Sequence, residues 1–265
     1  MRPSVAAKRG FVGLMNGVPG AAAKRFDTSS RSARLLRPLV NVLLPTVPTT
    51  VVVRAGAMRG TRLRIDPRNE KFYWTGLYEV GVQEAFVSAL RSGATVWDVG
   101  AHIGFFTALA ARSVGPGGRV HAFEPMRANR MRLLETIELN GLEEVDVHPT
   151  AVAGEAGTRP FYAHSSTSMW SLVERNGASW IEVPCVTLDD LLADGSLGIP
   201  ALVKIDAEGA ELDILRGGQR LVTETSAVLV IEFTDDEAVR EARRLLPHHT
   251  LEPLSDRHWL LRGAA

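Results

Sequence analysis

Val96-Trp97-Asp98-Val99-Gly100-Ala101-His102-Ile103-Gly104-Phe105-Phe106 runs from an apolar stretch into two glycines and on into a second apolar segment. It predicts a strand over Thr95–Val99, a tight turn, and a helix over Phe105–Arg112. The same beat repeats outward. Strands predicted at Arg119–Phe123, Val145–His148, Ala201–Ile205 and Val228–Phe233 alternate with helices at Arg127–Asn140, Ala210–Arg216 and Asp235–Leu246. Val228–Phe233 is almost wholly apolar, as a strand covered on both faces must be. Strands that alternate with helices need crossover connections, so the expected architecture is α/β: a mostly parallel sheet between helical layers. A strand pair, Thr250–Leu254 and Trp259–Arg262, closes the chain, and Gly154–Pro184 reads as small strands and loops inserted before Ala201. Upstream, Thr50–Arg54 and Arg62–Ile65 read as two short strands, followed by the aromatic cluster Phe72–Glu79 and a helix over Gln83–Arg91.

The chain has 265 residues, 45% of them apolar and 23% charged, which suits one α/β domain with additions and not a disordered polymer. Thirty basic residues balance thirty acidic ones, so no overall polycation points to nucleic acid. The single cysteine, Cys185, excludes an internal disulfide framework and a Cys-cluster metal site, and makes the cytoplasm the expected location. Charge is uneven only at the N-terminus, where residues 1–37 hold eight Lys or Arg against Asp27 alone. The apolar run Leu39–Leu44 that follows is too short to span a bilayer. Residues 1–48 are therefore expected to be a basic arm with a short helix, and residues 49–265 the catalytic domain.

In open parallel sheets, ligands lie beyond the carboxyl ends of the strands, so the chemistry is sought there. Asp98 ends the first strand of the series as an acceptor for an ammonium group or a hydroxyl, and Gly100 and Gly104 let the backbone turn tightly after it. A dinucleotide loop would need Gly-x-Gly-x-x-Gly; here positions 102 and 103 are His and Ile, which suits a ligand without phosphates and with a positive end. Glu124 ends the second strand, where a carboxylate can accept from both hydroxyls of a ribose. The fourth strand runs into Lys204-Ile205-Asp206-Ala207-Glu208-Gly209-Ala210-Glu211. Its crowded carboxylates are expected to raise one another's pKa, which suits a general base at Asp206 or Glu208. The same two residues would equally suit Mg²⁺. His102, inside the glycine loop, is a further candidate for proton transfer.

Five pieces together resemble the FkbM-type methyltransferase family: Tyr73-Trp74-x-Gly76-x-Tyr78-Glu79, Asp98–Gly104, Phe123-Glu124-Pro125, Thr187-Leu188-Asp189-Asp190-Leu191 and Lys204–Glu211. The resemblance covers about residues 70–235. It implies the class I, Rossmann-like three-layer sandwich with seven strands and an antiparallel C-terminal hairpin. It also implies an S-adenosyl-L-methionine-dependent O-methyltransferase acting on a hydroxyl of a sugar or secondary metabolite. On that likeness Asp98, Gly100 and Gly104 would cradle the methionine half of the cofactor, with His102 beside its reactive end, and Glu124 would hold the ribose. Tyr78 and Glu79 would close over it, while Asp206, Glu208 and Glu211 would face the acceptor. His102 departs from the family, which often has Asn there.

The expected partner is a small hydroxylated acceptor, a glycoside or natural product, with no nucleic acid and no transmembrane segment; homodimerisation stays open. Two rival readings share the sheet: a nicotinamide-dependent oxidoreductase, and a cofactor-binding protein without catalysis.

Overall fold

A computed structural model describes residues 47–163, 170–174 and 177–263, together with Gly13. The expected basic arm and short helix lie outside the described residues, apart from Gly13, Val47 and Pro48. The chain forms two compact units, one reaching to Val80 and including Glu138–Gly141, the other made of Gly81–Ile137 and Leu142–Ala265.

In the first unit, β1 (Thr49–Val52) and β2 (Arg62–Ile65) pair antiparallel, with Val51 opposite Leu63. Leu63 and Ile65 are buried and Arg62 and Arg64 exposed, the period-two pattern of a half-covered ribbon. The aromatic cluster contributes a short helix, α1 (Lys71–Thr75), and its Phe72, Tyr73 and Tyr78 rings pack with centroids 4.5 to 4.9 Å apart.

The second unit is built on a seven-stranded sheet. Its strands are β3 (Thr95–Val99), β4 (Arg119–Phe123), β5 (Val145–His148), β10 (Leu202–Ile205), β11 (Val228–Glu232), β12 (His249–Pro253) and β13 (His258–Gly263). The order across the sheet is β12-β13-β11-β10-β3-β4-β5. All neighbours are parallel except β13, which runs against both β11 and β12. This is the expected fold class, a mostly parallel sheet with an antiparallel C-terminal hairpin. Strand order reverses at β3, with β4 and β5 on one side and β10 and β11 on the other, so the ligand crevice of such a sheet falls over the tips of β3 and β10.

Alternate strand residues feed two faces. Trp97, Val99, Val203, Ile205, Leu229 and Ile231 join a large core with α6 (Glu211–Arg216), α7 (Gln219–Glu224) and α8 (Asp236–Leu245). On the opposite face Ala122 packs with Leu133 of α4 (Arg127–Asn140), near α3 (Phe105–Val114). The helix expected from Gln83 starts earlier, as α2 (Val80–Ala89).

The inserted stretch forms its own sheet, β6 (Ala151–Val152), β9 (Trp180–Val186), β7 (Gly157–Ala163) and β8 (Trp170–Ser171), in that spatial order. Asp213 of α6 ties it down: its Oδ2 accepts from the Gly154 N–H at 3.0 Å and from Arg159 at 2.8 Å. Helix α5 (Leu188–Asp194) starts at a capping box between Thr187 and Asp190. Helix α7 follows the Gly217-Gly218 pair that reads as a helix stop, because Asp189 accepts from the Arg220 and Leu221 N–H groups at 3.1 and 2.9 Å. That cap comes from thirty residues upstream and leaves no local trace.

Steric limits at the tip of β3 explain its glycines. Gly100 has φ +78°, and a Cβ there would stand 1.8 Å from the Asp206 carbonyl oxygen. Gly104 has φ +86°, and its Cβ would meet Leu133 Cδ1 at 2.5 Å. Gly141 shares the left-handed backbone at φ +61° but faces open space. Gly141→Ala should therefore lose only the left-handed cost of ~1–2 kcal/mol, and Gly100→Ala a further ~1–3 kcal/mol of overpacking, read by urea denaturation of the two variants.

Candidate active site at the strand tips

The loop after β3 is laid onto the tip of β4 by backbone bonds. Gly100 and Ala101 N–H groups donate to the Phe123 carbonyl at 3.0 and 3.1 Å. His102 then turns left-handed, φ 51°, and its N–H donates to Glu124 Oε2 at 2.9 Å. The Met126 N–H donates to Glu124 Oε1 at 2.8 Å, and the Asn129 side chain adds a third bond. The Arg130 guanidinium holds the Glu124 and Pro125 carbonyls. Burial pushes the Glu124 carboxyl up to about 7, against the opposing pull of those donors and of Arg130. Each carboxylate oxygen has two lone pairs, so Glu124 keeps acceptor capacity beyond its N–H bonds.

Asp98 and Lys204 stand directly opposite each other on β3 and β10. Asp98 is fully enclosed: Oδ2 accepts from the Thr107 hydroxyl of α3 at 2.6 Å, and Oδ1 has no hydrogen-bond donor. The Lys204 ammonium lies 4.0 Å from Asp98 Oδ1, 3.0 Å from Asp206 Oδ2 and 5.2 Å from the Phe106 ring centre. Burial raises the Asp98 carboxyl, with Lys204 and Thr107 opposing. The ammonium group that Asp98 meets is thus the protein's own.

Asp206 departs from the expectation that crowding lifts its pKa. Burial alone would raise it, but Lys204 and the neighbouring hydrogen bonds outweigh that and hold the carboxyl below its ordinary range. Its side chain is 21% exposed, reaching the crevice as an ion-paired carboxylate. Glu208 lies beside it in left-handed backbone, φ 54°, half-buried. Glu211 does not face the crevice as expected. It is buried, and its Oε1 accepts from the Ala207 and Gly209 N–H groups at 2.9 and 3.1 Å, so it knits the acidic turn together. Among the described residues no group of three or more His, Cys, Asp or Glu side chains is arranged to hold a metal ion. The cation next to Asp206 is that of Lys204. The half-buried His102 reaches Glu124 through its backbone. Tyr78 and Glu79 belong to the first unit, Glu79 in left-handed backbone at φ 47°.

Sequence reasoning passes over Lys204, Thr107, Glu232 and His258, all of which meet this charge network. Lys204 carried a signal, as the one polar residue in an otherwise apolar strand.

The family model for the methyltransferase FkbM domain matches residues 98–252. The chain belongs to the FkbM methyltransferase family. Among its relatives is the 31-O-demethyl-FK506 methyltransferase FkbM of Streptomyces tacrolimicus, 29% identical over 205 residues, 66% of this chain and 78% of that one. Methyltransferase 1 of Beauveria bassiana is 28% identical over 141 residues, 45% of this chain and 56% of that one. A crystal structure of methyltransferase FkbM from Methylobacillus flagellatus aligns with TM-score 0.45 at 18% identity, covering 73% of this chain and 52% of that one. This chain thus spans about half the length of the latter two proteins. The matched segment begins at Asp98 itself and takes in Glu124 and the whole acidic turn.

Lys204→Met should leave two buried carboxylates without their cation and cost ~3–5 kcal/mol at neutral pH. In the wild type, Asp206 sits below its ordinary range and stabilises the fold above that range, losing the contribution as pH falls through its folded value. In the variant both carboxyls rise, so stability is present at low pH and lost as pH rises through them. Urea melts at pH 5 and 8 should therefore show the gap between wild type and variant narrowing at pH 5.

Proposed function

We propose that the chain is an S-adenosyl-L-methionine-dependent O-methyltransferase acting on a hydroxyl of a sugar or secondary metabolite. The observation that carries this reading is Glu124, a buried carboxylate with spare acceptor capacity, fixed by the glycine-loop backbone at the tip next to the switch point. A ribose diol needs such an acceptor. The phosphate-unfriendly His102-Ile103 pair fits a cofactor with a cationic, phosphate-free end. By its name, the Streptomyces relative methylates 31-O-demethyl-FK506, which supports a hydroxylated acceptor here.

When bound, S-adenosyl-L-methionine supplies a methyl group on a sulfonium whose leaving group is a neutral thioether. Glu124 would hold the ribose, and the backbone from Gly100 to Gly104 would line the amino-acid end. Asp206, kept anionic by Lys204, would accept the acceptor's hydroxyl proton in a hydrogen bond and aim the oxygen, with Glu208 beside it. Positioning of that kind supplies up to ~7–11 kcal/mol in well-oriented systems, and a base ~10²–10⁴-fold more.

Incubation with methyl-labelled S-adenosyl-L-methionine and methyl glycosides or hydroxylated macrolides should move label to an oxygen; no transfer to any hydroxyl under conditions where the cofactor binds would reject the reading. The Glu124 carboxyl, raised to about 7, makes a second forecast. Its folded proton affinity exceeds the unfolded one, so its contribution to apo stability is full at low pH and lost as pH rises through about 7. Affinity runs the other way, because the ribose needs the anion. Calorimetric affinity for S-adenosylhomocysteine should fall below pH 7 by up to ~tenfold per unit, and Glu124→Gln should flatten that dependence.

A further inference from the structure

The sheet sets Asp98, Lys204 and Asp206 on one face. Asp98 and Lys204 are register partners on adjacent parallel strands. Asp206 follows Lys204 by two residues, one side-chain period, and its N–H still donates to the Val99 carbonyl at 3.1 Å. An ammonium on a four-carbon stem has many places to stand. This one is almost without solvent and stands off-centre. It lies 3.0 Å from Asp206 Oδ2, a hydrogen bond, and 4.0 Å from Asp98 Oδ1, beyond hydrogen-bond reach. Asp98 does not draw it closer because Asp98 already has a donor. The Thr107 hydroxyl donates to Asp98 Oδ2 at 2.6 Å, and neither side chain meets solvent. A buried carboxylate that receives a hydroxyl depends less on its cation. Phe106, the residue before Thr107, puts its ring centre 5.2 Å from the ammonium. The first turn of α3 thus bounds Lys204 twice, directly through Phe106 and indirectly through Thr107 and Asp98.

We propose that Thr107 and Asp98 are positioning residues of the transfer: by fixing where the Lys204 ammonium stands, they fix its hold on Asp206 and so the aim of that carboxylate at the acceptor hydroxyl. That role rests on the methyltransferase reading above. It gives Asp98 a task on the acceptor side, whereas its place at the head of the glycine loop reads in sequence as a cofactor ligand. The two tasks part on substitution. Without the Thr107 hydroxyl, Asp98 turns to Lys204 and draws the ammonium off Asp206. Without the Asp98 charge, Lys204 has Asp206 to itself. The lost anion and the tighter pair both make Asp206 a weaker base, so it takes up a proton at lower pH. The other titratable groups near Asp206 are Glu208 on its own turn, Glu211 at the start of α6, and Glu232 and His258 on the β11 side. Neither substitution alters them.

The chain has four lysines, Lys8, Lys24, Lys71 and Lys204, so NMR of isotope-labelled lysine nitrogens reads the Lys204 ammonium in the ligand-free protein. Lys8→Arg, Lys24→Arg and Lys71→Arg assign the remaining signal. Asp98→Asn and Thr107→Val should each displace it, and Thr107→Ser should return it close to its wild-type place. With an acceptor that turns over, the acid limb of kcat in Asp98→Asn should move down by roughly one pH unit, with S-adenosylhomocysteine affinity within about threefold. Thr107→Val should lower kcat on the order of tenfold at unchanged S-adenosylhomocysteine affinity, and Thr107→Ser should recover most of it. Should Asp98→Asn not fold, the Thr107 pair decides by itself. A Lys204 signal unmoved in folded Thr107→Val would overturn the proposal. So would a loss of S-adenosylhomocysteine affinity of about tenfold or more in Asp98→Asn with the acid limb in place, which would make Asp98 a cofactor ligand. If the signal moves but no hydroxyl is methylated, the methyltransferase reading falls and the part of these residues in transfer with it, while their hold on Lys204 stands.

Discussion

The ammonium of Lys204 is placed where a parallel sheet has no natural room for a charge. It projects from the middle of the sheet, almost without solvent, between the carboxylates of Asp98 and Asp206. Removing any one of the three would leave its partners desolvated and uncompensated, a state that costs several kcal/mol in proteins. The arrangement is also what joins the two halves of the crevice. Asp98 belongs to the strand whose loop runs to Glu124, and Asp206 to the strand whose turn carries Glu208. One buried cation therefore couples the β3 side of the crevice with the β10 side.

Backbone geometry reinforces that coupling. Gly100 has no Cβ because the Asp206 carbonyl takes its place, so the loop after β3 and the turn after β10 touch through main chain alone. Glu211 then ties the turn from below through two N–H groups, and Asp213, two residues on, anchors the inserted sheet. Side chains that look alike in sequence thus divide into two kinds. Asp206 reaches the crevice because Lys204 neutralises part of its cost, whereas Glu211 is buried because backbone donors satisfy it.

Much of this is legible in the sequence. The regular alternation of apolar strands and helices from Thr95 onward carries the sheet, because a strand covered on both faces must be apolar along its length. The tips at Asp98, Glu124 and Asp206 follow from that sheet, since ligands gather beyond its carboxyl ends. What stayed hidden depends on contacts far apart in sequence. Helix α7 is capped by Asp189 across about thirty residues, so the Gly217-Gly218 pair before it reads as an end. The depressed Asp206 carboxyl needs the orientation of Lys204, which a one-dimensional count of acids cannot supply. Glu232 sits one strand away from Asp206 in space but twenty-six positions away in the chain.

The central claim is that the crevice over β3, β4 and β10 is a cofactor site organised around Glu124 and the Asp98–Lys204–Asp206 charge cluster. A crystal structure of the chain with S-adenosylhomocysteine tests it most directly. The account predicts ribose hydroxyls on the Glu124 carboxylate, the amino-acid end along residues 100–104, and the thioether sulfur turned toward Asp206. A ligand seated elsewhere, or one whose ribose avoids Glu124 while both its oxygens keep only their N–H partners, would contradict it.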